Sequence, residues 1–296
     1  MIIVRVWEGL GNQLFQYAYA RAFRMRTGEN VYLDISQCYK KELEGHRINR
    51  SYELNNFNIK LKAYNKTEKT FFFLRNKNLV EKSILCLAQK KHFIIHFYKE
   101  DGVRYKNELT MLKGNWYVMG WFQNEKYFKE YRKQLLNELK PKKHIKISSY
   151  LKSILQNENT ISIHIRRSDY KINNNVLPNS YYINAINLIE NTIKKPYYII
   201  FTDDYDWVKK NMVIPKRHYY IDNEYLQDYE ELWIMTKCKH NIIANSTFSW
   251  WGAWLNQNEE KIVIGPEKWY LCGENSMLNI MPDDWIKMSV NESEFY

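Results

Sequence analysis

The sequence predicts an α/β fold of two domains, each built around a sheet of parallel strands. The chain has 296 residues, a length that suits two domains of ordinary size better than one. It begins with a strand, a turn, a helix and a second strand, which is the order of a βαβ unit. From residue 160 onward, strands and helices alternate, as in a doubly wound parallel sheet.

The opening βαβ unit follows from the hydrophobic pattern at the N-terminus. Ile2–Trp7 is predicted to be a strand, and Glu8–Asn12 is a turn that contains two glycines. Leu14–Arg26 is predicted to be a helix, because its apolar and small residues recur every three or four positions. Gly28 is expected to end that helix, and Val31–Asp34 to form the next strand.

The remainder of the first domain has a weaker pattern. Asn55–Gly114 shows no clear periodicity. Val118–Gln123 is predicted to be a strand with a following loop. Glu125–Leu139 is predicted to be one amphipathic helix that Pro141 stops.

The domain boundary is predicted in the charged, Asn-rich stretch Pro141–Asn159, around a short apolar helix. It divides the chain into residues 1–145 and residues 146–296. The strands predicted beyond it are Thr160–Ile165, Tyr197–Thr202, His218–Ile221, Asn241–Ala244 and Ile262–Gly265. The helices between them are Ser180–Thr192, Tyr205–Asn211, Asp228–Lys237 and Phe248–Asn256. Ligands of such sheets bind beyond the carboxyl ends of the strands, so chemistry is expected there.

Composition and charge limit the function classes. Hydrophobic residues make up 45% of the chain, which allows a packed core and excludes global disorder. The net charge is +11, and Lys60–Lys113 alone contains 13 Lys and Arg residues against 5 Asp and Glu residues. This surplus fits an anionic partner such as a nucleotide, a nucleic acid or a membrane surface, and equally fits a solvated basic face. Ile84–Tyr98, apolar with interleaved Lys and His, suggests peripheral membrane contact through Lys60–Lys113.

Cysteine spacing and the N-terminus bear on the compartment. The four cysteines are far apart and form no C-x-x-C pair, so neither a zinc site nor a disulfide framework is predicted. The N-terminus lacks the apolar core of a signal peptide. No stretch approaches the ~20 apolar residues that span a bilayer. A cytoplasmic location is therefore expected, with the peripheral membrane contact as a further hypothesis.

The segment HIRRSDY, His164–Tyr170, follows a predicted strand and is the first candidate binding site. Arg166 and Arg167 are adjacent, so at an extended strand end their side chains point in different directions. One guanidinium can bind a diphosphate through two charge-assisted hydrogen bonds, while the other pairs with a carboxylate such as Asp169. The alternative is a pair of surface arginines with a local ion pair.

The segment ANSTFSWWGAW, Ala244–Trp254, is a second candidate, because a predicted strand leads into a hydroxyl-rich loop that opens a helix. Its hydroxyl residues are Ser246, Thr247 and Ser249. They are natural N-caps, and a helix N-terminus offers free N–H groups to phosphate. A phosphate-binding loop facing Arg166 and an ordinary N-cap both remain open. The tryptophans are interpreted as core packing rather than as a sugar platform.

Two acidic residues follow another predicted strand in FTDD, Phe201–Asp204. Asp203 and Asp204 can bind a sugar hydroxyl, orient an arginine, chelate a metal or cap a helix. Because the two acids are adjacent, the segment differs from a D-x-D metal motif, and no metal site is predicted.

A glycine-bearing turn, Gly9–Gln13, forms the fourth candidate. It is not a dinucleotide-binding fingerprint, because Leu14 stands where the third glycine of G-x-G-x-x-G would be. Its glycines allow close backbone approach, and Asn12 and Gln13 can hydrogen-bond a sugar. A tight strand-to-helix turn is the alternative.

Together, GLGNQLFQYAYARA, HIRRSDY, FTDD and ANSTFSWWGAWL occur in an order that resembles the α-1,2-fucosyltransferases, glycosyltransferase family eleven. The matching segments lie at positions 9–22, 164–170, 201–204 and 244–255. They span nearly the whole chain, although residues 55–114 carry none of them.

The resemblance implies a GT-B architecture, in which two Rossmann-like domains face each other across a cleft. It implies that the second domain binds GDP-L-fucose. It further implies transfer with inversion to O2 of a terminal galactose in a glycan acceptor, without a catalytic metal or other cofactor.

The resemblance also implies roles for individual residues. Arg166 matches an arginine that contacts the diphosphate, and Asn12 matches an asparagine that projects into the cleft. With His164 and Asp169 they form the predicted catalytic group. The implied donor-binding residues are Arg166, Arg167, Asp203, Asp204, Asp228, Asn245, Ser246, Thr247, Phe248 and Ser249. The implied acceptor-side residues are Gly11, Asn12 and Gln13. No residue is an obvious base for the acceptor hydroxyl, and His164, Asp169 and Asp203 are the candidates.

Two rival functions remain at this point. One is a fucosyltransferase with another acceptor, either a protein or an α-1,6-linked site. The other is a basic nucleic-acid-binding protein, which the charge and the aromatic content would suit. The second rival does not explain why the motifs follow predicted strands, so nucleic acid is not an expected partner.

Overall fold

A computed structural model describes residues 1–39, 51–64, 96–172, 174–221, 225–271 and 280–290. The described strands form two separate sheets in which every pairing is parallel. The first sheet comprises β1 Ile2–Arg5, β2 Val31–Asp34, β3 Lys62–Ala63, β4 His96–Lys99 and β5 Trp116–Met119. The second comprises β6 Asn159–Ile165, β7 Pro196–Thr202, β8 His218–Tyr220, β9 His240–Ile242, β10 Val263–Pro266 and β11 Ile286–Met288. The α-helices are α1 Leu10–Thr27, α2 Arg132–Glu138, α3 Ser149–Asn157, α4 Asn179–Thr192, α5 Tyr205–Asn211, α6 Asp228–Met235 and α7 Thr247–Trp254.

The first sheet has the strand order β3-β2-β1-β5-β4 and confirms the predicted βαβ unit. Gly28 ends α1 in the left-handed conformation, with φ of 72°. Helix α1 begins at Leu10, four residues before the predicted start, and Gly9 is its N-cap. Gly11, Asn12 and Gln13 therefore lie in the first turn of a helix and not in the predicted turn, a difference that fixes where their side chains point.

The predicted helix Glu125–Leu139 is interrupted. It consists of two short 3-10 segments, Glu125–Tyr127 and Lys129–Tyr131, followed by α2. Phe128 separates the two segments with φ of −144° and ψ of −5°. Its ring is buried and stacks on Trp251 at a centroid separation of 5.4 Å. Burial of this ring against the second half of the chain prevails over the local helical pattern.

The second sheet has the strand order β11-β10-β9-β6-β7-β8 and confirms the predicted alternation of strands and helices. Strand β11 was not expected from the sequence, since it has three residues, of which Ile286 and Lys287 are exposed and show no alternation. The short strands β3 and β4 of the first sheet were also not predicted. The short apolar helix expected near the domain boundary is α3.

The largest hydrophobic core joins residues from both halves of the chain. Phe15 of α1 lies 4.5 Å from Trp250 and 5.1 Å from Trp251, measured between ring centroids. Trp250 and Trp251 are fully buried, which confirms the interpretation of the tryptophans as core packing. Each such side chain removes roughly 150–250 Å² from water, so this contact holds the two sheets together. The boundary at residue 145 remains a prediction.

The predictions about the cysteines and about the membrane concern residues that the structure describes only in part. Cys38 and Cys238 are buried and free, while Cys86 and Cys272 lie outside the described residues. Within the described ranges, no helix is both long and apolar enough to cross a bilayer. Much of Lys60–Lys113, including most of Ile84–Tyr98, lies outside those ranges, so the membrane contact stays a prediction.

Candidate active site at the carboxyl ends of β6 and β7

The candidate site begins where β6 and β7 end. These strands pair in parallel with Ile165 opposite Thr202, so the segments that follow them start side by side. HIRRSDY and FTDD, which are far apart in the sequence, therefore meet at one edge of the second sheet. This is the edge at which ligands of such sheets bind.

Asp203 connects the segment that follows β7 to the segment that follows β6, and we call this meeting point the junction. One carboxylate oxygen accepts the Arg167 backbone N–H at 2.8 Å, and the other accepts that of Ser168 at 3.2 Å. The second oxygen also pairs with Arg166 Nη1 at 3.0 Å. Arg166 Nη2 lies 2.9 Å from Asp169 Oδ1. Two carboxylates thus fix the guanidinium of Arg166, whose side chain retains 23% exposure.

Arg167 has a different environment. Its guanidinium lies 3.1 Å from the ring centroid of Trp207, and its Nε donates to Asp204 Oδ2 at 3.2 Å. Lys171 donates to the same carboxylate oxygen at 2.5 Å. This hydrogen bond is the main reason that the pKa of Asp204 is lowered. Arg167 thus pairs with a carboxylate, one of the two roles that the sequence left open, and its role in donor binding stays a prediction.

The junction is less basic than the sequence alone suggested. Arg166, Arg167 and Lys171 are matched by Asp169, Asp203 and Asp204. Among its described residues, the junction therefore has no local surplus of positive charge. Selective binding of an anion must depend on the direction of individual hydrogen-bond donors.

Glu231 of α6 is a candidate site residue that the sequence analysis missed, because it interacts electrostatically with Arg166 and Asp203. Burial, followed by the negative charge of Asp228, raises the pKa of Glu231 to about 8, and Arg166 opposes that rise. Asp228 and Glu231 are three positions apart and so lie on the same face of α6, a spacing that could have identified the residue. Glu230, by contrast, completes a capping box with Gln227 at the start of the helix.

His164 lies beneath the same junction. Its side chain is buried, and its ring centroid is 5.6 Å from that of Phe248. Burial, with a smaller contribution from Arg166, lowers the pKa of His164 to about 3. The imidazole is therefore neutral at ordinary pH and is a weak proton acceptor. Its Nδ1 has no hydrogen-bond partner among the described residues.

The start of α7 lies next in the site. Ser246 is the N-cap, and its hydroxyl accepts the Phe248 N–H at 3.3 Å. The Ser249 hydroxyl donates to the carbonyls of Ala244 at 3.3 Å and Ser246 at 3.2 Å. These hydroxyls thus have structural partners before any ligand binds. A role for them in phosphate binding stays a prediction.

Asn245 precedes this cap and is buried. Its Nδ2 donates to the Asn175 carbonyl at 2.9 Å and to the Trp269 carbonyl at 3.2 Å. Its Oδ1 has no partner among the described residues. Tyr170 donates its hydroxyl to the Asn245 carbonyl at 3.0 Å, which ties this loop to HIRRSDY.

The first turn of α1 lies directly against the first turn of α7. A Cβ atom placed on Gly11 would lie 2.5 Å from Thr247 Oγ1 and 2.6 Å from the Phe248 nitrogen. Only glycine permits this approach, which brings the neighbouring Asn12 close to the second half of the chain. Asn12 Oδ1 accepts a hydrogen bond from Gln123 at 2.8 Å.

Gln13 has a different role from the one that the resemblance implied. It is fully buried, and its amide donates to the carbonyls of Glu8 and Ser51, each at 2.8 Å. Its Oε1 accepts the Glu53 N–H at 3.0 Å. Gln13 therefore anchors two loops, while Asn12 faces the junction of the two halves.

The described residues contain no group of three or more His, Cys, Asp and Glu side chains placed to hold a metal ion. Arg166 and the N–H groups at the start of α7 offer hydrogen-bond donors to an anionic ligand, and the half-buried Glu231 lies on the neighbouring helix α6.

Two parallel α/β sheets in succession, with an arginine–carboxylate site at the carboxyl edge of the second, match the GT-B architecture that the resemblance implies. The sequence model of glycosyl transferase family 11 matches residues 1–288, and the chain belongs to that family. It is therefore an enzyme that transfers a sugar.

Two curated relatives match over almost their full length. The O-antigen biosynthesis glycosyltransferase WbnK of Escherichia coli is 33% identical over 95% of this chain and 98% of its own. An alpha-1,2-colitosyltransferase of Escherichia coli is 28% identical over 97% of this chain and 99% of its own.

Among solved structures, the fucosyltransferase NodZ from Bradyrhizobium is 13% identical over 85% of this chain and 90% of its own, with a TM-score of 0.45. The Escherichia coli heptosyltransferase WaaC with ADP is 8% identical over 99% of this chain and 94% of its own, with a TM-score of 0.43.

Proposed function

We propose that this enzyme transfers L-fucose from GDP-L-fucose to O2 of a terminal galactose in a glycan, with inversion at the anomeric carbon. The observation that carries the proposal is the Arg166 guanidinium, fixed by Asp203 and Asp169 at the ligand edge of the second sheet in a family 11 chain. The name of the alpha-1,2-colitosyltransferase relative supports the linkage, and that of WbnK supports a glycan acceptor.

Arg166 supplies the main stabilisation in this proposal. As the fucosyl bond breaks, negative charge grows on the β-phosphate of the leaving GDP. A guanidinium that two carboxylates already hold needs no reorganisation to meet that charge. The N–H groups at the start of α7 add a favourable dipole, so no metal ion is required in the proposal.

Glu231 adjusts the charge around that arginine. With its pKa raised to about 8, the carboxyl is protonated at neutral pH. It then adds no negative charge beside Arg166, although Asp203 and Asp228 are near. In the proposal, this neutral carboxyl and Asp228 border the donor and can hydrogen-bond its polar atoms.

The acceptor hydroxyl must lose a proton during transfer. His164 is a weak base because it is buried, and Asp169 and Asp203 are ion-paired with Arg166. In the proposal, deprotonation follows cleavage of the fucosyl bond, so that strong base assistance is not needed. Asn12 orients the acceptor beside the donor.

The name of one relative favours a second candidate donor, an activated form of colitose. A donor panel decides between the two sugars: GDP-L-fucose, the colitose donor and other nucleotide sugars, each with galactosides as acceptors. We expect GDP-L-fucose to give the highest kcat/KM and NMR to show an α-1,2-linked product. A higher kcat/KM with the colitose donor would show that colitose, and not L-fucose, is the sugar transferred. A product linked at another position would contradict the acceptor assignment.

The same panel tests the remaining parts of the proposal. We expect activity to survive saturating EDTA, and loss that Mg²⁺ or Mn²⁺ restores would show a need for metal. A protein or an α-1,6-linked product would support the rival fucosyltransferases. Binding of labelled nucleic acid by the nuclease-treated protein at physiological salt would support the nucleic-acid alternative.

A further inference from the structure

Two residues in the left-handed backbone region lie side by side at the ligand edge of the first sheet. Glu8 follows β1 with φ of 66°, and Phe122 follows β5 with φ of 51°. Strands β1 and β5 are neighbours in parallel register, so the two loops are adjacent. Residues other than glycine are strained at these angles, and such strain is concentrated at binding and catalytic sites.

The strain at Phe122 is maintained by buried contacts. Glu100 Oε2 accepts the backbone N–H groups of Trp121 at 2.6 Å and Phe122 at 3.0 Å. The Phe122 ring stacks on Tyr19 at a centroid separation of 3.9 Å. These contacts fix Trp121, which precedes Phe122, in one position at the rim of the sheet.

Glu8 is exposed, yet its carboxylate is positioned by two donors. Its Oε2 accepts Asn12 Nδ2 at 2.7 Å and Trp121 Nε1 at 3.0 Å. The half-buried rings of Trp7 and Trp121 lie 6.1 Å apart at an interplanar angle of 55°. An oriented carboxylate thus lies at the edge of the Trp121 ring, beside a pair of partly exposed tryptophans.

A hydrogen-bond chain connects this group to the second half of the protein. Gln123 donates to Asn12 at 2.8 Å and accepts from the Tyr270 hydroxyl at 3.2 Å. Gln123 is buried, and Tyr270 follows β10 of the second sheet. Because Gly11 packs on the start of α7, Asn12 and Glu8 border the proposed donor site.

We propose that Glu8, Trp7 and Trp121 form the subsite that holds the acceptor sugar, and that Glu8 selects neutral over acidic sugars there. The inference rests on the proposed function, since it assigns the acceptor side of the same site. A carboxylate accepts charge-assisted hydrogen bonds from sugar hydroxyls, and an aromatic face packs on the C–H face of a pyranose. The same carboxylate repels a sugar that carries a carboxylate of its own.

A purely structural role for Glu8 makes the opposite prediction. Glycine adopts positive φ without strain, so Glu8→Gly would then leave kinetics unchanged and maintain or raise the melting temperature. In the proposed subsite, the same substitution removes the carboxylate that contacts the acceptor. The two roles are therefore separated by kinetics in a variant that keeps its fold.

The test compares Glu8→Gly, Glu8→Gln and Trp121→Phe with wild type, using galactosides and the matching galacturonides as acceptors. Glu108→Gln is the matched control, because it removes an exposed carboxylate from the same half of the chain. We expect Glu8→Gly to raise the acceptor KM at least about tenfold while the donor KM changes less than twofold and the melting temperature does not fall. We expect Glu8→Gln to lower the ratio of kcat/KM for galactosides to kcat/KM for galacturonides.

Direct binding keeps this inference separate from the proposed function. Saturation-transfer NMR measures binding of neutral glycosides to wild type and variants in the presence of GDP, whatever the product of the reaction. A wild type without galactoside transfer contradicts the proposed function. Acceptor KM and NMR binding unchanged in both Glu8 variants overturn the subsite.

Discussion

At the scale of single residues, Asp203 determines the geometry of the site. It receives backbone N–H groups from Arg167 and Ser168 and also pairs with Arg166. The arginine is thus positioned before any donor binds, which is the condition under which a charged group stabilises a transition state most effectively. Arg166 is held by Asp203 and Asp169, and Arg167 by Trp207 and Asp204, so the adjacent arginines are not equivalent.

The pKa of Glu231 leads to a prediction about pH. Since that pKa is raised to about 8, the carboxyl ionises as the pH rises through that value and places a negative charge near Arg166. We expect the KM for the donor to increase above about pH 8 in wild type and to remain flat in Glu231→Gln. Steady-state kinetics at a fixed acceptor concentration, from about pH 6 to about pH 9, measure the donor KM of both proteins.

The same ionisation has a consequence for stability. A carboxyl whose pKa is raised from 4.5 to about 8 on folding stabilises the protein fully below pH 4.5, and that contribution is lost as the pH rises through 8. Glu231→Gln should lack this loss, which chemical unfolding at pH 6 and pH 9 can detect. Parallel pH profiles of wild type and Glu231→Gln would show that Glu231 does not titrate in this range.

Sequence reasoning located part of the site and missed part, for physical reasons. Arg166, Asp203 and Asp204 were identifiable because parallel strands bring their carboxyl ends to one edge. Glu231 was missed because its pKa is raised mainly by burial, which depends on the packing of α6 and is not visible in the sequence. The burial of Gln13 could not be foreseen either, since it depends on the loop at Ser51 and Glu53.

At the scale of elements, the approach of α1 to α7 joins the two halves of the site. The approach depends on Gly11, because a Cβ atom there would lie within 2.6 Å of Thr247 Oγ1 and the Phe248 nitrogen. The Phe248 nitrogen and the Thr247 carbonyl carbon, which would also lie at 2.6 Å, belong to the backbone, so the contact cannot be relieved by a side-chain rotation.

Substitution of Gly11 tests this contact. We expect Gly11→Ala to displace α1 from α7 and to lower kcat/KM at least about tenfold, with a destabilisation of about 1–3 kcal/mol from overpacking. Gly9→Ala is the matched control, because nothing lies within 4 Å of a Cβ at that position. Equal kinetics and stability in the two variants would show that the helices are not in close contact.

The elements also show where sequence patterns succeed. Strands β6 and β7 were predicted to within one residue, and the body of helix α1 was predicted, although its first turn was not. The interruption at Phe128 was not predicted, because the ring that breaks the helix packs on Trp251, more than a hundred positions away in the sequence.

At the scale of the whole molecule, the shared core makes the two sheets depend on each other. Phe15 and Phe128 pack on Trp250 and Trp251, and Arg132 donates to the carbonyls of Trp254 at 2.9 Å and Asn256 at 3.1 Å. Neither half can unfold without exposing the aromatic side chains of the other.

Thermal unfolding reports on this dependence. We expect a single calorimetric transition in wild type, and a Phe128→Ala variant that is destabilised by about 3–5 kcal/mol and still unfolds in one step. Two separated transitions in wild type would contradict a shared core. The thermal transition followed by intrinsic tryptophan fluorescence should coincide with the transition followed by far-UV circular dichroism.

In the proposed reaction, Arg166 stabilises the negative charge that develops on the diphosphate of the leaving nucleotide. Turnover of Arg166→Ala at saturating GDP-L-fucose and acceptor measures this most directly, with Arg217→Ala as a control for loss of an exposed, paired arginine elsewhere in the second half. Removal of a donor of this kind costs about 2.7–4 kcal/mol of transition-state stabilisation, so we expect Arg166→Ala to lower kcat at least ~100-fold. Near-normal turnover in a folded Arg166→Ala variant would contradict this role of Arg166.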